Sequence, residues 1–150
     1  VLVGLDQLSK FFITSSLTER SSIELLPILN LTLIFNSGIA FSLFDDNGVW
    51  GRWVLVGLVT LVLLYLARIL IKEKNLSSYE SLALTLILCG GAGNLIDRIF
   101  IGHVVDFIHV FYQEYSFYVF NFADSYITIG VTLYLIYILF IGEEKEADAN

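Results

Sequence analysis

Residues 54–67 read V-L-V-G-L-V-T-L-V-L-L-Y-L-A, without one charged side chain. Extended outward to Val49 and Ile71, this run exceeds the roughly 20 apolar residues needed to cross a bilayer. Three further apolar segments flank it, at about Val1–Leu17, Tyr79–Ile101 and Phe120–Ile141. The first is short and starts abruptly, and its centre carries Asp6 and Lys10. With no small-residue cleavage pattern after it, it does not read as a signal peptide. The chain has 150 residues, 57% of them hydrophobic and only 15% charged, which excludes a disordered chain and argues against an ordinary soluble domain. The expected fold class is therefore mainly α and integral to the membrane: a four-transmembrane-helix bundle, in one domain spanning 1–150. Methionine is absent, so the natural N-terminus is expected to lie ahead of Val1.

The charge balance orients the bundle. Arg68, Lys72 and Lys74 collect at one end of the second and third runs, and by the positive-inside rule that end is cytoplasmic. Four spans then put both termini inside, with the segments Thr18–Gly48 and Gly102–Val119 outside. The first outer segment contains N-L-T-L-I-F-N at Asn30–Asn36 and a turn signal at Asp45–Gly48, so one or two strands are expected there. The second is rich in Phe, Tyr and Val and reads as an amphipathic loop or helix lying in the interface. The net charge of −7 argues against a nucleic-acid partner. The single cysteine, Cys89, sits in an apolar run and reads as a small buried hydrophobe.

Polar residues inside apolar runs are costly, on the order of 3 kcal/mol for a charge at the bilayer centre, and mark function by default. Asp6 and Lys10 are four apart on one helix face, in the favourable order for an ion pair. A structural salt bridge and a direct role in a site both fit that spacing. Asn36 and Gly38, at the end of the expected strand, would by themselves make an ordinary turn. Gly90, Gly91 and Gly93 permit close helix approach, and Asn94, Asp97 and Arg98 follow. Asp97–Arg98 also fits a structural ion pair. Asp106 stands between Val104-Val105 and Phe107-Ile108, an acid in apolar surroundings. Asn121 and Asp124 open the last span, where they could simply cap a helix.

The topology brings Asp106 and Asp124 to the same outer side and the same depth. Two nearby carboxylates share one proton, so one can act as a base on water while the other polarises a carbonyl. This chemistry needs neither metal nor cofactor. His103 and His109 lack the usual zinc spacing, and no G-x-S-x-G elbow is present. The helix end favours an ionised Asp124, and desolvation favours a protonated Asp106. A small transporter or channel component, or a non-catalytic assembly module, also accommodates intramembrane charges.

Five stretches occur in order across the chain: Asp6-Gln7-Leu8-Ser9-Lys10, Asn36-Ser37-Gly38-Ile39-Ala40-Phe41, Gly93-Asn94-Leu95-Ile96-Asp97-Arg98, Val104-Val105-Asp106-Phe107 and Phe120-Asn121-Phe122-Ala123-Asp124. Together they resemble the bacterial lipoprotein signal peptidases, or signal peptidase II, over essentially the whole length. The resemblance implies a membrane aspartic endopeptidase of the bacterial inner membrane with its site at the outer face. Such enzymes remove the signal peptide from prolipoproteins, cutting on the N-terminal side of a diacylglyceryl-modified cysteine. It implies Asp106 and Asp124 as the catalytic pair. Asp6, Lys10, Asn36, Gly38, Asn94, Asp97, Arg98 and Asn121 are then expected to line or brace the site. The implied partners are the lipidated prolipoprotein, membrane lipids and globomycin-type cyclic peptide inhibitors. The segment Gly38–Phe44 is expected to cover the site from outside.

Overall fold

A computed structural model describes residues 1–38 and 49–141. Most of the segment expected to cover the site, and the turn at Asp45–Gly48, lie outside the described residues. Among the described residues there are four α-helices, α1 (Leu2–Ser16), α2 (Val49–Lys72), α3 (Ser78–Phe100) and α4 (Phe122–Ile136), with a π-helical turn at Tyr137–Ile141 continuing α4. Among the described residues three helical stretches are long and apolar enough to cross a membrane: Trp50–Lys72, Ser78–Phe100 and Phe122–Ile141. At 15 residues, α1 is about 22 Å long, short of a hydrocarbon core of about 30 Å.

The bundle turns its apolar side chains outward. Leu58, Leu61 and Leu64 of α2 and Phe11 and Phe12 of α1 are all exposed, whereas Asp6, Lys10, Asn94, Asp97 and Asn121 are buried. In water this distribution would be unfavourable, but lipid solvates such a surface. The polar groups it encloses must then find partners inside the protein.

Helix α3 is the hub. It starts at a capping box in which Ser77 and Glu80 satisfy each other's backbone N–H groups. Its glycines meet three different neighbours. A Cβ at Gly90 would run into the Ala123 carbonyl oxygen and Ile127 of α4, one at Gly91 into Leu63 of α2, and one at Gly93 into the Asp6 carboxylate of α1. Hydrogen in place of a side chain is what lets the three backbones close on α3.

Strands β1 (Ser22–Leu26), β2 (Leu29–Asn36), β3 (Val104–Tyr112) and β4 (Tyr115–Ser116) form an antiparallel sheet in the order β1-β2-β3-β4. The two strands of the first outer segment match the sequence reading. The second outer segment does not: in place of an interfacial amphipathic loop or helix, its Val104–Tyr112 run forms β3. Its β-branched and aromatic residues suit a strand, and β2 offers the unpaired edge it needs. The register places Ile34 opposite Asp106 and Asn36 opposite Val104. Side chains two apart on a strand share a face, so Asn36 comes diagonally onto Asp106.

Candidate active site

Three connections converge where the sheet meets the bundle. Phe120 exchanges backbone hydrogen bonds with Ile108, its carbonyl accepting from the Phe107 and Ile108 N–H groups and its own N–H donating to the Ile108 carbonyl. This pins the start of α4 to β3. The Asp97 carboxylate, at the end of α3, accepts from the Val105 N–H at 3.2 Å. The Asp6 carboxylate of α1 accepts from the Ala123 N–H at 3.0 Å, in the first turn of α4. Acids on two helices thus satisfy backbone donors that the strand start and the helix start leave open.

Asp106 and Asp124 are joined through one residue, Asn121. The Asn121 side-chain amide donates to Asp106 Oδ1 at 2.7 Å, and its backbone N–H donates to Asp124 Oδ2 at 3.2 Å. Asn121 also caps α4 through a capping box with Asp124. The capping reading and the site reading therefore describe the same residues. Asn36 donates to Asp106 Oδ2 at 2.8 Å, and Asn94 donates to Asp124 Oδ1 at 2.7 Å.

Each of the three asparagine amides is polarised the same way. The Asn36 oxygen accepts from the Gly38 N–H at 3.0 Å, and the Asn121 oxygen accepts from the Asp124 N–H at 2.9 Å. The Asn94 oxygen accepts from the Lys10 ammonium at 3.1 Å. Every oxygen is claimed by a group that can only donate, so every NH2 faces a carboxylate. At Gly38 the turn has φ 79, the left-handed region that favours glycine.

Asp106 is 2% exposed. Burial is the main force on its carboxyl and pushes it from 3.8 up to about 6, with the nearby Asp124 acting in the same direction. The hydrogen bonds from Asn36 and Asn121 and the positive charge of Lys10 oppose the rise.

The remaining predicted residues gather beside the pair. Lys10 forms ion pairs with Asp6 at 2.8 Å and with Asp97 at 2.7 Å, so the i,i+4 bridge is present and also crosses to α3. The pairing expected within Asp97–Arg98 is replaced by this one. Successive residues on a helix point in different directions, and Asp97 turns to α1. Arg98 donates through Nη1 to the Asn94 carbonyl at 3.3 Å, and its buried Nε has no partner among the described residues. Gln7, not among the expected site residues, belongs to the same cluster. Its amide donates to Asp97 Oδ1 at 2.8 Å and to the Gly93 carbonyl at 3.1 Å. Its place in the polar run Asp6-Gln7-Leu8-Ser9-Lys10 inside an apolar span was the available signal. A cavity of about 410 Å³, lined by Phe117, Tyr118, Phe120, Asp124, Ser125, Thr128 and Ile129, opens beside Asp124.

Comparison with known proteins decides the family. The family model described as signal peptidase (SPase) II matches residues 1–140. The chain belongs to the signal peptidase II family. It is 40% identical over 148 residues to the lipoprotein signal peptidase of Acinetobacter baumannii (strain ATCC 17978), covering 99% of this chain and 84% of that one. Identity to the lipoprotein signal peptidase of Pseudoalteromonas translucida is 41% over 150 residues, with 97% and 87% covered. A solved bacterial membrane enzyme, determined by the in meso method at 1.9 Å resolution, superposes with a TM-score of 0.83. It shares 33% identity over 93% of this chain and 88% of its own. Membership of the signal peptidase II family implies a peptidase, and the apolar helices and the membrane-enzyme neighbour make it a membrane protein.

Proposed function

We propose that this chain is an aspartic endopeptidase that removes the signal peptide from diacylglyceryl-modified prolipoproteins, with Asp106 and Asp124 as its catalytic pair. The observation that carries this reading is the bridge through Asn121, which joins the buried Asp106 carboxylate to Asp124, a residue lining an apolar cavity. In the active form of the free enzyme Asp106 holds the shared proton, a form favoured below the value of about 6 to which its carboxyl is pushed. Asp124 takes a proton from water as the water oxygen attacks the scissile carbonyl carbon. The Asp106 proton passes to the carbonyl oxygen, giving a neutral tetrahedral diol. The diol then collapses: its hydroxyl proton returns to Asp106, the C–N bond breaks, and the departing nitrogen takes the proton held by Asp124. Both carboxyls end as they began. Arg98 Nε, which has no partner among the described residues, is suited to a substrate carbonyl or ester oxygen, and the cavity to an apolar part of the substrate. Metal and cofactor have no step in this scheme.

The substrate is itself a lipidated membrane segment, so the site belongs at the outer face of the bacterial inner membrane. In this reading α1 is the fourth span, its exposed Leu5, Leu8, Phe11 and Phe12 facing lipid. Arg68, Lys72 and Lys74 mark the cytoplasmic side, and both termini lie inside. Globomycin-type cyclic peptides would compete for the same cavity. The test is cleavage of a diacylglyceryl-modified prolipoprotein by Asp106→Asn and Asp124→Asn. Each variant should stay folded in the membrane and release no signal peptide. Turnover near the wild-type rate in either one rejects the pair.

A further inference from the structure

Lys10 touches neither catalytic carboxylate. Its ammonium has three N–H bonds and meets three acceptors: Asp97 Oδ2 at 2.7 Å, Asp6 Oδ2 at 2.8 Å and Asn94 Oδ1 at 3.1 Å. The first two contacts would make it a brace between α1 and α3. The third fixes a choice of hydrogen-bond polarity. An ammonium cannot accept, so it must face the oxygen of the Asn94 amide. The NH2 is thereby turned toward Asp124, which it meets at 2.7 Å. Asn121 Nδ2 also reaches the Asn94 oxygen, at 3.1 Å, but it is shared with Asp106 Oδ1 at 2.7 Å and the Val105 carbonyl at 3.3 Å. Of the two donors to that oxygen, Lys10 is the charged one. A flipped Asn94 amide would aim an oxygen at the Asp124 carboxylate, where two acceptors repel.

We infer that Lys10 is a positioning residue that acts through Asn94, fixing the amide so that Asp124 always meets a donor and is held where it takes the proton from water. This rests on the reading of Asp106 and Asp124 as the catalytic pair. The charged groups around the relay are Asp6 on α1, Asp97 and Arg98 on α3, Asp106 on β3 and Asp124 on α4. Of these, Asp6 and Asp97 are Lys10's ion-pair partners, so its removal also unbalances buried charge. A useful experiment separates that effect from positioning.

The measurement is kcat and KM of the full chain in detergent micelles on a diacylglyceryl-modified prolipoprotein. Lys10→Met should lower kcat about 10- to 100-fold, the scale of a small misplacement of a reacting group, with KM within about twofold. The charge-balanced variant is Asp97→Asn/Lys10→Met, which keeps the wild-type net charge of the cluster because one carboxylate is lost with the ammonium; it is read against wild type and against Asp97→Asn. Removing Lys10 should cost the same factor in kcat there. If the balanced variant recovers the rate of Asp97→Asn, or fails to fold, Lys10 is only a brace and the inference falls. In an Asn94→Ala background, further loss of Lys10 should leave kcat within about twofold, because its target is gone. A full additional loss there overturns the inference as well. The pair itself is judged separately: activity in Asp106→Asn or Asp124→Asn removes the underlying reading, whatever Lys10 does.

Discussion

Replacing Asp106 with asparagine should alter how stability depends on pH, apart from any effect on turnover. Burial lifts this carboxyl from 3.8 to about 6, so the folded protein holds the proton more tightly than the unfolded chain. The stabilisation is fully present below about pH 4 and is lost as pH rises through about 6. Above that, the folded state carries a buried charge, and the accumulated loss is about 3 kcal/mol. Asp106→Asn has no proton to lose and should lack this slope. It carries a different cost. Asn36 and Asn121 donate to separate oxygens of Asp106, and an amide has one oxygen, so one buried donor goes unpaired at about 1–3 kcal/mol. The variant should therefore be less stable than wild type at pH 4 and should match or exceed it above pH 7. For a chain of this size the relative shift is about 6–12 °C in Tm. Thermal unfolding in micelles, followed by the fluorescence of Trp50 and Trp53 from pH 4 to 7.5, measures it. A Tm difference that stays constant over that range would show that Asp106 does not titrate there and would refute the reasoning.

Two further outcomes follow from the same geometry. Asn36→Ala removes a donor that holds the Asp106 carboxyl down, so the pH window of stability loss should move up by about 1–2 pH units; an unmoved window in the same unfolding series counts against that hydrogen bond. Gly90→Ala should destabilise by about 3 kcal/mol or more and lower activity. The new methyl meets the backbone oxygen of Ala123, next to Asp124, whereas Gly91→Ala meets only the flexible end of Leu63 and should cost about 1 kcal/mol. Equal losses in Tm would contradict this difference.

Much of the architecture is legible in the linear chain because it follows from local solvent preference. Apolar runs report which segments lipid will solvate, and β-branched alternation at Asn30–Asn36 reports a strand. The glycines at 90, 91 and 93 announce close approach, although not that each faces a different helix. The i,i+4 spacing of Asp6 and Lys10 shows a possible ion pair, and Asn121 with Asp124 shows a helix cap. The acids at 106 and 124 stand out because each lies in or beside an apolar stretch.

Partner choice was beyond that reading. Val104–Tyr112 looks like an interfacial amphipathic segment until β2, far away in sequence, supplies a strand edge. Asp97 looks paired to Arg98 until α1 brings Lys10 to within 2.7 Å. Gln7 looks incidental until Asp97 and the Gly93 carbonyl surround it. Which end of the Asn94 amide meets Asp124 depends on an ammonium that Lys10 supplies from another helix. Composition and spacing report what each residue prefers to be surrounded by and which neighbours lie one helical turn away. Inside a lipid-solvated bundle every polar group must find a protein partner. Those partners come from segments that meet only when the chain is packed, so the sequence marks the costly residues and the tertiary structure decides how each is satisfied.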